Sequence, residues 1–303
     1  MTFSRSFAIL CLAGIMSTPS FCSFNPADDP AYKSASGLLA KTKADEKQLS
    51  LMGFRLSAIP PEIFSFHKVT SLDLAANCLI ELPEEVVKMK SLRWLLLEGN
   101  RLSSIPSKIY LLENLTVLNL RNNQFSQLPL EIGFLFSLEA LDVGQNLLST
   151  LPPQMNRLKK LKTLDISSNR FETFPEVVVE LFALKALYAS NNQLSWLPIG
   201  LGFRADLEQL DLSHNHLTGI PEIVVLCLPH LRMFNLMDNQ ITALPKGMSN
   251  MHSLRALYIQ GNQIAELPSD FAKLVNVTLS HQNADARNVW QFLLLERKIP
   301  SKL

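Results

Sequence analysis

Asparagine recurs at Asn77, Asn100, Asn123, Asn146, Asn169, Asn192, Asn215, Asn239 and Asn262, at intervals of 23 residues apart from one step of 24 between Asn215 and Asn239. A fixed period of this length means one supersecondary unit stacked on copies of itself, growing along an axis without a single central core. Counting domains by length is therefore misleading, although 303 residues could otherwise hold one or two ordinary domains. Composition only narrows the field. With 47% apolar and 18% charged residues the chain is globular, and a net charge of +1 supplies no global field to draw nucleic acid or a membrane surface.

Around each asparagine sits one frame, as in Leu161-Lys-Thr-Leu164-Asp-Ile166-Ser-Ser-Asn169-Arg-Phe171-Glu-Thr-Phe174-Pro175. Leu164 and Ile166 alternate with Thr163, Asp165 and Ser167, the period of a short strand with one face inward. Parallel stacking of such strands needs a crossover, which the remainder of each repeat supplies. The asparagine stands where the backbone turns inward, and its side chain can satisfy buried peptide groups of its own and the next repeat. The closing apolar-proline pair, Leu151-Pro152 or Phe174-Pro175, ends one limb and starts another, because proline lacks an N–H and suits the first position of a helical turn. Beyond it, Met155, Leu158 and Leu161 return at the spacing of a short helix or 3₁₀ segment. Strands about 4.8 Å apart beside wider outer limbs require the array to curve.

The frame L-x-x-L-x-L-x-x-N-x-L-x-x-L-P resembles the leucine-rich repeat family. The form is similar to the short repeats of Ras-pathway scaffolds, Scribble-like polarity proteins and bacterial effectors, and it covers Leu49 to Pro268. The resemblance implies an α/β leucine-rich repeat solenoid: a curved horseshoe with a parallel concave sheet, short helical or 3₁₀ convex limbs and helical caps. It also implies a binding module without chemistry of its own, since no ubiquitin-ligase or kinase segment is appended.

Four segments are expected. Residues 1–23 read as a secretory signal peptide: Arg5, the apolar run Phe7–Met16, then Ser20 and Cys22 around a small-x-small cleavage site. Ten apolar residues are too few to span a bilayer, so no stable membrane span is expected. Residues 24–48 form an N-terminal helical cap, with Asp28, Asp29 and Pro30 at its start and Tyr32, Ala35, Leu38 and Leu39 on one face. About ten repeats occupy 49–282, the first carrying Phe54 in place of asparagine, and Val275, Val277 and Leu279 alternate as a last degenerate strand. Residues 283–303 supply a C-terminal capping helix containing Val289, Trp290, Phe292, Leu293 and Leu294. The extra residue of the 24-residue step falls in the outer limb near Leu226 to His230. Beyond the leader only Cys78 and Cys227 remain, on opposite limbs, so no disulfide framework is expected.

Partner contacts belong on the outward positions of the concave sheet, which the core does not constrain. The central outward position carries Asp73, Leu96, Asn119, Asp142, Asp165, Tyr188, Asp211, Asn235 and Tyr258 in turn. Trp94 and Leu96 make one candidate exposed patch; Tyr188, Met233, Met237 and Tyr258 make a second. Between them Glu98, Asp142, Asp165, Asp211 and Asp238 form an acidic strip, with Arg121 and Asn235 completing the candidate face. Arg93, Lys162, Lys185, Arg232 and Arg255 line the strand edge as a solvated rim, without the aromatic interleaving of a nucleic-acid surface.

Catalytic and metal constellations are not expected. His214 and His216 flank Asn215 without a third ligand at metal spacing, Ser213, His214 and Asp211 lack a cleft in which to converge, and no glycine-rich phosphate loop occurs. The expectation is a monomeric, exported, non-catalytic module without cofactor or metal that binds a protein, such as a bacterial effector or virulence-associated protein. An intracellular scaffold or phosphatase-regulator adaptor and a glycan-recognition ectodomain are the alternatives.

Overall fold

The computed structural model describes residues 29–203, 206–265 and 268, and the backbone of 278–279. Among the described residues eleven short strands form one parallel sheet in chain order: β1 Gln48–Ser50, β2 Ser71–Asp73, β3 Trp94–Leu96, β4 Val117–Asn119, β5 Ala140–Asp142, β6 Thr163–Asp165, β7 Ala186–Tyr188, β8 Gln209–Asp211, β9 Met233–Asn235, β10 Ala256–Tyr258 and β11 Thr278–Leu279. Pairing is strictly in register, so Leu118, Leu141, Leu164, Leu187 and Leu210 stack as one inward column. The result is a leucine-rich repeat horseshoe with its sheet on the concave side.

The asparagines close the core. Asn169 Nδ2 donates to the carbonyls of Ile166 and Ser167 in its own repeat, at 3.0 and 3.1 Å, and to Val143 in the preceding one, at 3.0 Å. Its Oδ1 accepts the Leu148 N–H at 2.9 Å. The same set recurs at Asn100, Asn146 and Asn215. The bridge therefore runs back to the preceding repeat and not, as the sequence reading had it, forward to the next. In the first repeat Phe54 fills this place as a half-buried side chain packed on the core.

A second constraint lies just before each asparagine. Ala76, Asn122, Gln145, Ser168, Asn191, His214 and Asp238 all have φ between 52 and 54°, and Gly99 and Gly261 take the same place at 67 and 69°. This left-handed residue turns the chain off the sheet, while its N–H donates to the next repeat, as Ala76 does to the Glu98 carbonyl at 2.7 Å. For a residue with a Cβ the conformation costs about 1 to 2 kcal/mol.

Most outer limbs are five-residue 3₁₀ turns entered through proline, such as Glu84–Lys88, Ser107–Leu111, Leu130–Phe134, Pro153–Arg157 and Glu176–Glu180. Their inward residues, among them Met155, Leu158 and Leu161, are fully buried as the spacing requires. Gly133 lets two limbs close on each other, since a Cβ there would lie 2.3 Å from the Gln154 carbonyl oxygen. The limb of the 24-residue step differs: Glu222–Leu226 is one α-helical turn, α2, closed by Cys227 N–H donating to Ile223 O at 3.1 Å. The added residue widens the turn there, and β8 and β9 stay in register.

The N-terminal helix, α1, spans Pro30–Leu39 and is capped by the Asp29 carboxylate accepting from Ala31 N–H at 2.8 Å. Ala35 and Leu39, one turn apart, are buried against the array. Leu38 is 42% exposed, which corrects its expected inward place: a neighbour in sequence lies about 100° around a helix. The sheet starts at Gln48, one residue earlier than expected, and Thr278–Leu279 pairs with β10 as a final strand. The leader, Val275, Val277 and the C-terminal capping helix lie outside the described residues.

Replacing Asn169 by alanine strands the Leu148 N–H and the carbonyls it serves. Urea unfolding should register a loss of about 1 to 3 kcal/mol or more; a loss too small to measure would remove the ladder from its structural role.

Candidate interaction surface on the concave sheet

Asx turns build the centre of the concave face. Asp73, Asn119, Asp142, Asp165, Asp211 and Asn235 each turn a side-chain oxygen onto the backbone N–H two residues later, at 2.8 to 3.1 Å. An aspartate or asparagine is the residue that can make this short local bond. The acidic column is thus a second structural ladder, parallel to the buried asparagines.

This corrects the expected acidic strip. Asp142, Asp165, Asp211 and Asn235 are buried, not presented to solvent. The exposed apolar patches shrink in the same way, because Tyr188 and Met237 are also buried. Tyr188 packs with Ala186 and Met233, and its hydroxyl donates to Gln209 Oε1. Burial, then the Asp165 and Asp211 carboxylates, push its phenol well above the ordinary value. Of the candidates, Trp94, Leu96, Glu98, Arg121, Met233 and Tyr258 stay half-buried and reachable.

Arg121 organises the middle of the face. Its Nη1 donates to Asp165 Oδ2 at 3.0 Å, lies 3.8 Å from Asp142 Oδ1, and reaches Ser167 Oγ at 3.4 Å, bridging three repeats. Gly144 makes room for it, since a Cβ there would sit 2.4 Å from the same nitrogen. Removing one partner from so buried an ion pair costs about 3 to 5 kcal/mol, so Arg121 holds the face together before it offers anything to a partner. Burial raises the Asp165 carboxyl, against the pull of Arg121 and Ser167. Asp211 is raised for the same reason, opposed by the Ser213 N–H and hydroxyl at 3.0 and 2.7 Å.

Leu96, Tyr188 and Tyr258 are the central positions whose side chains cannot make the Asx bond. Leu96 pairs in register between Asp73 and Asn119, and Tyr258 pairs with Asn235, so apolar side chains interrupt a polar column. On the strand edge three of the rim cations are engaged: Lys162 with Glu139 and Lys185 with Glu208, both at 3.0 Å, and Arg232 with Glu208 at 3.5 Å. His214 Nδ1 faces Asp238 at 3.3 Å while Ser213 donates to Asp211, so these groups point into separate contacts. Among the described residues no three His, Cys, Asp or Glu side chains are grouped to hold a metal ion, and no helix is long and apolar enough to cross a membrane. Neither Cys78 nor Cys227 takes part in a disulfide.

The sequence reading missed Gly144, Ser167 and Gln209, which shape this face. An aspartate two residues before a glycine or serine is the signal that would have marked three of the turns, at Asp142, Asp165 and Asp211.

The leucine rich repeat family model matches residues 47–102, 136–194 and 205–264, with a second leucine rich repeat model at 114–135. The chain belongs to the leucine-rich repeat family, whose fold is a protein-interaction module. Among solved structures it is similar to a leucine-rich repeat protein of Leptospira interrogans, at 33% identity and a TM-score of 0.73 over 77% of this chain and 60% of that one. It is also similar to YopM, a leucine-rich effector protein from Yersinia pestis, at 29% and 0.61 over 82% and 64%. A plant peptide hormone receptor, RGFR1, in complex with RGF2, matches at 29% and 0.58 over 73% and 41%. The chain thus spans less than two thirds of each of these proteins. No curated protein sequence matches it significantly.

Asp211 gives a pH signature. Its folded-state value lies above the ordinary 3.8, so between the two the folded chain keeps a proton that the unfolded chain releases, and stability falls as pH rises through that window. Asp211→Asn has no proton to lose there and should gain on the parent chain as pH rises above the ordinary carboxylate value in urea titrations. Parallel pH profiles for the two proteins would refute the shift.

Proposed function

We propose that the chain is an exported, non-catalytic module that holds a partner protein against its concave sheet. The observation that carries this reading is the interruption of the Asx column. At Leu96 and Tyr258 the chain forgoes a local bond that polar residues make at six neighbouring positions, and places a half-exposed apolar side chain there instead. A departure from the local rule marks a position serving something other than the fold. Trp94 stands beside Leu96 on β3, and Met233, paired with Ala256, lies diagonally across β9 and β10 from Tyr258. Aromatic, methionine and leucine side chains held on a rigid sheet lose little entropy on binding, because the surface beneath them is already hydrogen-bonded. Glu98 adds a polar contact at the same edge, fixed by Asn119 Nδ2 at 3.2 Å. Effector and receptor relatives of the same fold support the class of function; the partner of this chain is its own.

Affinity purification with mass spectrometry identifies that partner. Trp94→Ala and Tyr258→Ala should then each weaken binding by about 1 to 3 kcal/mol without lowering the melting temperature. Unchanged affinity in both variants would move the interface off the concave face. Export rests on the leader-like residues 1–23. Mass spectrometry of the native protein should find an N-terminus at or near Ser23, and a mature chain still starting at Met1 would point to the intracellular scaffold instead.

A further inference from the structure

Large apolar side chains also stand out on the opposite side of the horseshoe. On the convex limbs of the fourth and sixth repeats, Phe136 and Phe182 are 58% and 62% exposed. Each belongs to a group of ring and cation contacts, one around Phe134 and one at Phe182. Tyr110 meets Phe134 edge-to-face with ring centroids 6.4 Å apart, and Phe134 meets Phe136 at 6.1 Å. The Arg157 guanidinium lies 4.7 Å from the Phe134 centroid, and Lys159 Nζ lies 5.3 Å from that of Phe182. Both are cation–π distances, so the aromatic tips and the cations are fixed beside one another.

Charge is uneven here. The stretch 153–162 contains Arg157, Lys159, Lys160 and Lys162 and no carboxylate. Lys162 is engaged by Glu139 on the rim, which leaves three cations on the outer limb. In the adjoining limbs Glu131 and Glu176 sit in the first turn, at the proline end, and Glu180 accepts from Asn156 at 3.0 Å.

We propose that this aromatic and cationic patch docks the protein on an anionic phospholipid surface. The occupant follows from complementarity and shape. A net charge of +1 cannot attract a membrane through the whole molecule, but a local cluster of cations acts within a Debye length, where each lysine or arginine adds to the attraction. Aromatic rings with a cation alongside suit the boundary between headgroups and acyl chains. Phe136 and Phe182 project from separate limbs of a convex ridge. A headgroup layer takes up such tips wherever they fall, whereas a folded partner would need a cavity for each. The concave face stays clear of the bilayer, so both surfaces can be occupied together.

The test is co-sedimentation of the full chain with phosphatidylcholine vesicles, with and without phosphatidylglycerol. Binding should require phosphatidylglycerol and fall in high salt. Two double variants, Lys159→Glu with Lys160→Glu and Phe136→Ser with Phe182→Ser, should each lose about tenfold or more in partitioning while melting like the parent, since the altered side chains are exposed. The apolar run Phe7–Met16 is common to all variants, so their difference reports the patch alone. Trp94→Ala should leave vesicle binding intact, which separates this result from that of the concave face. Absence of parental binding, equal binding by both double variants, or use of the patch for self-association or an acidic protein would overturn the proposal.

Discussion

Every repeat after the first depends on a carboxamide that no other side chain could replace at equal size. A solenoid must turn its backbone inward once per coil, and every such turn buries peptide groups with no strand partner. The asparagine supplies donors and an acceptor together, on a side chain short enough to lie in the turn. By reaching back to the preceding coil it also converts a stack of separate loops into one continuous core. The leucine columns add apolar burial in proportion to area, but they have no direction; the asparagines set the register in which those columns align.

Much of this was legible in the chain. The period announced the stacking, the alternation around Leu164 and Ile166 announced the strands, and the proline at each limb announced the crossover. Outside contacts were harder to read. Period-2 alternation tells which side chains leave the core and says nothing of whether their neighbours then cover them. Asp165 leaves the core and is nonetheless enclosed by Arg121 and Ser167, because parallel strands about 4.8 Å apart bring the outward groups of adjacent repeats within hydrogen-bonding reach. The burial of Tyr188 was hidden for the same reason, its hydroxyl finding Gln209 one strand away. The left-handed residue before each asparagine was hidden by its variety, since alanine, glutamine, serine and histidine all occupy it under pressure from the ladder.

The two faces of the horseshoe divide the work differently. On the concave side polar groups bind one another, so the few apolar residues that break the pattern stand out against a rigid, satisfied background. On the convex side the limbs need only their inward residues, and their outward ones are free to vary. Conspicuous outward aromatics there are not demanded by the fold. Their grouping around a carboxylate-free stretch makes them a second surface with a chemistry of its own.

The α-helical turn at Glu222–Leu226 has a bearing on how such a chain comes to exist. One surplus residue is absorbed within a single outer loop, and the strands on either side pair as if nothing had changed. Copying errors in a gene built from tandem duplications would therefore be quarantined coil by coil. The length of each unit can wander over generations without shearing its neighbours, provided that the wandering happens on the outside of the bend.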